Sequence, residues 1–535
     1  MRKSSLLYSL VVSLALTATA CARNTSPVSV ASAATSDSIE ESTQDQALPT
    51  TLKSFTAVEG PNLMARLEAA SQRARGTQNP YWSAYSFDVR PGVAIDPGIH
   101  EFHGSMNTIG DTAVFVGTTA SGMTVETRNL AVFILRDSGN NQITRMEVYN
   151  LERKREYSGY PVYWLGRSNN EESLNYLRAL AAASPLHMLS ERAVLGIAIH
   201  DDPRVAGMLK GFIASSQNQR IRSSSVYWLG QVGGEQAFLA DLVRNTGEDI
   251  KLRRQAAHAI GESRDRGALN VLQSLYETVK EVEVRRGIIQ AAGNNQDREA
   301  ALAFLLKIAK NDPEKQARRT AVQQLGEFDR GNIVAELMKI YSGETDAEVK
   351  KAVLHALAET KSAGAQASLL ELARSEPNPE LRKRAIHVLA QRGESVIGDL
   401  LTLYDSERAP EVRKTVLHSL SEIKSTRVED KLFAVARADE NLDLRRQAIR
   451  LLGERAGKRS LDFLSATAQS SDGNTEVQVQ AVRAISERNA EESVPLLIKI
   501  ARTHANQQVR KQAIRALGES GDPRAVEFFR EVLAK

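Results

Sequence analysis

Over the last two thirds of the chain, apolar positions fall into a short string that recurs. An apolar residue is followed by others four, five and eight places on, and polar residues fill the gaps. Taking the first apolar place as zero, the string begins at Ile221, Leu252, Val284, Ala317, Val349, Leu381, Val412, Leu444, Val477 and Val509, in steps of 31 to 33 residues. On a helix these places form one stripe, so each string predicts an amphipathic helix. Asn or Asp stands three places earlier at Asn218, Asp249, Asp346, Asn378, Asn441, Asn474 and Asn506, where a side-chain oxygen can cap the first turn. Gly at position 9 (Gly230, Gly261, Gly293, Gly326, Gly453, Gly518) is expected near the helix end, permitting a turn. Apolar runs such as Val494–Ala501 predict another helix ahead of each string, and residues 523–535 form such a first helix. Leu189–Ile197 is a weaker copy. Tyr157 begins a degenerate one whose Val162-Tyr163-Trp164-Leu165-Gly166 recurs as Val226-Tyr227-Trp228-Leu229-Gly230. Pro161 predicts only a short helix there, as in a capping repeat. No unit of this size buries its stripe alone, so the units must stack. The expected fold is mostly α: a solenoid of about 11 helix pairs over residues 157–535.

Before residue 157 the period changes. Gly60-Pro61 precedes an apolar face of Leu63, Met64, Leu67 and Ala70, predicting a helix over 61–75 that stops at Gly76. Short β-like runs follow at Tyr85–Val89, Val114–Val116, Met123–Glu126, Leu130–Leu135 and Ile143–Tyr149, the last two joined by an Asp137–Asn141 hairpin turn. Residues 51–156 are expected to form a small α+β domain, mainly antiparallel sheet. His100-Glu101-Phe102-His103 has three-residue histidine spacing where a zinc-protease helix needs four, and Pro97-Gly98 places it in a loop.

The repeated unit resembles the HEAT family, in particular the short HEAT-like form found in phycobilin lyases. Gly521-Asp522-Pro523-Arg524-Ala525 and the Val-Arg…Ala-Leu-Gly-Glu string carry the resemblance, which covers residues 189–535. It implies an α-solenoid whose second helices line a concave face. It also implies that the bases at position 1 (Arg222, Arg253, Arg285, Arg318, Lys350, Arg382, Arg413, Arg445 and Arg510) form a structural ladder with acidic turn residues, Gln478 being the exception.

Position 6 points away from the stripe and holds Tyr227, His258, Gln290, Gln323, His355, His387, His418, Arg450, Arg483 and Arg515. Position 2 is mostly basic and position 10 often Glu. This face reads either as a mildly basic groove for an acidic partner segment or as a solvated surface of (i, i+4) pairs. Tyr163 and Tyr227, each beside a Trp, are expected as exposed anchors for a partner. Of the four position-6 histidines, three (His355, His387, His418) lie on successive repeats, about a helix layer apart and too far to share a metal. No His-Glu pair of the kind used by HEAT-like metalloenzymes occurs in residues 157–535.

Composition narrows the function. A net charge of +4 argues against a coat for nucleic acid, and no aromatics interleave the basic rows. No phosphate-binding loop, dinucleotide fingerprint or nucleophile elbow occurs. The single cysteine, Cys21, follows Ala18-Thr19-Ala20 at the end of a signal-like segment with Arg2, Lys3 and an apolar Leu6–Leu16 core. The site resembles a bacterial lipobox, with Ala18 where Leu is usual. The resemblance implies lipidation of Cys21 and, with Ala22 next, the outer membrane. Residues 21–50 are rich in Ser and Thr and lack aromatics, so they are expected to form a disordered tether. The expected protein is exported, periplasmic or periplasm-facing, and carries no cofactor. Its expected role is a non-enzymatic scaffold for a protein partner. The alternatives are a lyase-like or chaperone-like activity and a structural spacer.

Overall fold

The computed structural model describes residues 54–76, 79–95, 102–109, 112–119, 127–183, 187–328, 332–360, 362–455, 457–470 and 474–534. The expected signal peptide, Cys21, the tether over 21–50, His100-Glu101 and the Met123–Glu126 run lie outside these residues.

Eight strands come first: β1 (Thr56–Ala57), β2 (Tyr81–Ser86), β3 (Val93–Ile95), β4 (Phe102–Ile109), β5 (Thr112–Thr119), β6 (Leu130–Arg136), β7 (Ile143–Asn150) and β8 (Val162–Arg167). They form a five-stranded sheet in the order β1-β8-β2-β6-β7 and a three-stranded sheet in the order β3-β5-β4. His103 therefore lies in strand β4, not in the expected loop. The β6–β7 hairpin forms as the pattern predicts: the Asp137 carboxylate accepts from the Gly139 and Asn140 amides, and Asn141 takes a left-handed φ of 57°. Helix α1 (Leu63–Ala74) starts one residue beyond Asn62, whose side chain accepts from the Ala65 amide at 2.8 Å. Asn62 is thus the cap, and Pro61 lies outside the helix.

Two expectations fail at β8. The larger sheet is mixed, because β8 runs parallel to both β1 and β2. The string Val162–Gly166 is not a degenerate helix but this strand, so residues 162–167 belong to the sheet and not to the solenoid. Its side chains follow the strand period: Tyr163 and Leu165 enter the main core, whereas Val162 and Trp164 join an aromatic cluster with Trp82, Phe133 and Tyr149 on the opposite face. The same five residues at 226–230 are helical. Flanks decide the outcome. Ser158, Gly159 and Gly166 take positive φ around the first copy and Pro161 removes an amide donor, whereas Asn218 caps a helix ahead of the second.

The helical array begins with α2 (Asn170–Ala183), α3 (His187–Ala198), α4 (Arg204–Ser215) and α5 (Gln219–Val232). Nine more pairs follow, giving 11 pairs among the described residues, and Pro523–Leu533 stands as a further first helix. The stripe is buried in every string except at Ile514 of the last, which is 41% exposed; Val349, Val353, Leu354 and Leu357 are at most 1% exposed. All seven Asn and Asp caps accept from the first-turn amides of their helices.

Successive second helices pack closely along the array, whereas successive first helices barely touch. The array therefore bends toward its second helices, which line the concave side. Position-9 glycines make this possible. A Cβ on Gly230 would stand 2.6 Å from the Ala259 carbonyl oxygen, one on Gly261 2.3 Å from that of Ala291, and one on Gly453 2.8 Å from the Ala484 Cβ. None of these glycines has a positive φ. They serve close approach between repeats rather than the turn their position suggests.

The sheet and the array share one core, in which Tyr85, Met146 and Leu165 join Leu177 and Ile197. Backbone bonds from Arg90 to Ile199 and from Asp201 to Asp88, both 2.9 Å, stitch the two together. Arg192 of α3 is paired with the fully buried Glu147 of β7 and donates to the Met146 carbonyl. His200 lies 1% exposed at this seam. One ring nitrogen meets the Ser173 hydroxyl at 2.8 Å and the other the Gly196 carbonyl at 2.6 Å, and the ring stacks on Phe87. Burial pushes its pKa down to about 4.

Candidate functional site

A groove of about 800 Å³ opens at mid-array on the second-helix face. It crosses four successive second helices, Lys315–Leu325, Ala347–Glu359, Pro379–Ala390 and Pro410–Ser421. Ala352 and Ala356 form its buried floor. Its walls carry Arg319, Lys351, Lys383 and Arg384, three carboxylates (Glu348, Glu359, Glu380) and both His355 and His387.

The charges are not equivalent. Lys351 pairs with Glu348 at 2.8 Å and Lys383 with Glu380 at 3.2 Å, each within its own helix. Among the described residues, Arg319 and Arg384 meet no carboxylate within ion-pair distance. Arg384 instead donates to the His355 Nε2, so His355 is there a neutral acceptor. Desolvation, then the Arg384 charge, pushes the His355 pKa down; His387 and Arg319 act in the same sense and Glu359 opposes them. Positive potential thus converges on this imidazole from both neighbouring helices.

The other expected site residues do not gather here. Tyr163 is 7% exposed in the sheet core, edge-on to Tyr81, and is no exposed anchor. Tyr227 is half-buried on α5, edge-on to the buried Trp228. His258 is half-buried further along, its pKa lowered by desolvation and by Arg254. His418 lies 3.9 Å from Glu422. Arg450 pairs with Glu454 and Arg515 with Glu519, the latter at 2.9 Å. Arg483 stays exposed. Outside the groove, much of the basic row is therefore neutralised within its own helix. Among the described residues no three His, Cys, Asp or Glu side chains are placed to share a metal, and no helix is long and apolar enough to cross a membrane.

Position-1 arginines point along the array, into the loop of the next unit. Arg222 meets Glu248 (2.5 Å), Arg253 Glu281 (3.0 Å), Arg285 Asp312 (2.7 Å), Arg318 Glu344 (2.7 Å) and Arg413 Asp439 (2.5 Å). Hydrogen bonds from Arg222 and Arg253 hold Glu248 and Glu281 below the usual carboxylate range. Arg445 donates instead to the Ala436 carbonyl in the last turn of the helix Thr426–Ala438 and Arg510 to the His504 carbonyl in a loop, and Arg382 meets no acid within ion-pair distance among the described residues.

Two features escape the repeat pattern as read from the sequence. Tyr276, Tyr341 and Tyr404, in alternate repeats, each donate a 2.7 Å hydrogen bond to Asp312, Glu376 or Asp439 and lie under Arg285, Lys350 or Arg413. Each stands eight places before a string, where intervening repeats hold Ala; that alternation was the available signal. The other is Arg384, the one charged residue at position 3 in ten strings.

The architecture defines a class, the α-solenoids built from tandem helix pairs. Within it, the family model "HEAT repeats" matches residues 235–316, 302–390, 366–453 and 468–535. These spans cover more than half of the chain, which therefore belongs to the HEAT-repeat family. Among solved structures it is similar to Kap121p (13% identity, TM-score 0.36, covering 68% of this chain and 47% of that one). It is also similar to yeast importin-beta, Kap95p (12%, 0.34, 68% and 56%), and to YibA of E. coli (17%, 0.27, 46% and 90%). The chain spans about half the length of Kap121p and Kap95p. No curated protein matches in sequence.

Proposed function

We propose that this chain is a non-enzymatic scaffold that binds a protein partner along its second-helix face. The observation that carries this reading is the groove across residues 315–421, formed by consecutive repeats and floored by alanines. Long, repeat-built concave surfaces suit extended partners, because each layer adds a small contact in register with the next. Cell-envelope placement rests on the sequence alone: Arg2 and Lys3, the apolar Leu6–Leu16, and Cys21 directly after Ala18-Thr19-Ala20. In this reading Cys21 is the lipid anchor, holding the scaffold on the outer membrane facing the periplasm.

Two experiments test the parts separately. A photo-crosslinking residue at Thr415 or His387 captures a partner in cells, whereas one at Lys339 on a first helix does not; crosslinks confined to Lys339 overturn the assignment of the face. Radioactive palmitate labels the wild type and not Cys21→Ser; a wild type without label removes the lipid anchor.

A further inference from the structure

The groove lies where the repeat rules change. At the first four fully formed strings position 9 is Gly230, Gly261, Gly293 and Gly326, and the second helices there pack tightly. At the next three it is Ala358, Ala390 and Ser421, and the helices following Ala347–Glu359 and Pro379–Ala390, up to Leu442–Gly453, touch less. An added Cβ accompanies the looser packing at these interfaces, whereas Ser486 at the same position stands in a helix that still packs closely on the next. The concave face opens at these repeats, and Arg384, the position-3 exception, stands in the opening.

We infer that this opening is a site for an extended acidic peptide segment, whose carboxylates pair with Arg319 and Arg384. The inference rests on the scaffold reading and gives its partner a chemistry. Four of the groove's charges are already matched in lysine–glutamate pairs, so the two arginines supply its remaining positive charge, against Glu359 alone. Arg384 is held by its bond to His355, which leaves the rest of its donor fork for a carboxylate. Two steps between second helices at ~8–10 Å separate the Arg319 and Arg384 helices by about 20 Å, a span that ~6 extended residues cover. A nucleic-acid strand fits less well, because no aromatic lines the groove for base stacking.

The test is a titration of the full chain with fluorescein-labelled hexaglutamate, monitored by anisotropy, with inorganic phosphate as competitor. Hexaglutamate binds in low salt. The Arg319→Gln/Arg384→Gln variant loses at least tenfold in affinity, Arg384→Lys loses less, and Arg483→Gln and Arg515→Gln on the same face bind as wild type. Unchanged affinity in the double variant, equal loss in Arg515→Gln, or full displacement by equimolar phosphate overturns the inference. Circular dichroism melting of each variant separates lost binding from lost fold. A partner crosslinked at His387 whose capture ignores the double variant removes this inference and leaves the scaffold reading standing.

Discussion

Gly261→Ala separates two roles for the repeated glycine by the sign of its effect. Gly261 lies inside the helix Ile250–Glu262. If it served only a helix end, alanine would stabilise the helix through propensity by up to ~1 kcal/mol. The geometry dictates the reverse. The new Cβ would stand 2.3 Å from the Ala291 oxygen, 2.8 Å from its carbonyl carbon and 3.0 Å from its Cα, where ordinary contact begins at 3.4 Å. The obstruction is backbone and cannot rotate away, so the helices must part by about an ångström. Overpacking of this kind costs ~1–3 kcal/mol, and after a propensity gain of ~1 kcal/mol a net loss of up to about 2 kcal/mol remains. Gly518 is the internal control. It holds the same place in its repeat, yet nothing stands within 4 Å of its Cβ position, so Gly518→Ala is neutral or stabilising by up to ~1 kcal/mol. Native-state hydrogen exchange on the two helices reads each effect locally, which matters because long arrays unfold in segments. Small-angle scattering should also show a straighter array for Gly261→Ala. A stabilised Gly261→Ala, or equal effects at the two sites, would refute the close-approach reasoning.

Other substitutions probe the ladder and the seam. Asp439→Ala strands the buried Tyr404 hydroxyl and the Arg413 guanidinium together and is expected to cost about 2–3 kcal/mol by urea denaturation, whereas Glu519→Ala, which breaks the exposed Arg515 pair, costs under ~0.5 kcal/mol; comparable losses would deny the ladder its structural weight. Arg192→Met leaves Glu147 buried without its partner and is expected to lower stability by ~3–5 kcal/mol, with sheet amides losing exchange protection first; an unchanged sheet would show that the pair does not hold the seam. His200 sets a pH dependence. Its folded pKa of about 4 lies below the unfolded 6.5, so unfolded chains take up the proton first as pH falls through that window. Its contribution is complete above pH 6.5 and declines toward pH 4 by up to about 3 kcal/mol. His200→Gln should flatten that part of the melting-temperature profile, and a variant with the wild-type slope would exonerate the histidine.

The array was legible in the sequence because its rules are local and repeated. A stripe at 0, 4, 5 and 8 with an Asn or Asp cap three places earlier specifies a helix whatever lies beyond it, and each of the seven caps bonds as its position implies. What neighbouring repeats do to one another was harder to see. Position-9 glycine looks like a helix stop until the Ala facing it from the next helix is placed. The groove needed a departure from the pattern, Arg384 at position 3 and three successive non-glycine residues at position 9, and a repeat analysis averages such departures away.

The pentapeptide at 162–166 and 226–230 carries the same lesson at shorter range. Its residues are apolar at adjacent as well as spaced places, so Val-Tyr-Trp-Leu satisfies a two-faced strand and a helix stripe equally. As a strand it divides its side chains between two cores, Tyr163 and Leu165 inward and Val162 and Trp164 outward; as a helix it buries Val226, Trp228 and Leu229 and leaves Tyr227 half-exposed. Hydrophobic pattern alone therefore could not place Tyr163, and the expectation that it was a surface anchor followed from assigning its segment to the wrong period. The deciding information lay outside the five residues, in Pro161, in Ser158 and Gly159 at positive φ ahead of them and in the edge of β2 with which they pair. Where the two copies differ in their flanks they differ in structure. The sheet thereby reaches eleven residues past the expected boundary, and the array takes its first layers from helices that pack directly on that sheet.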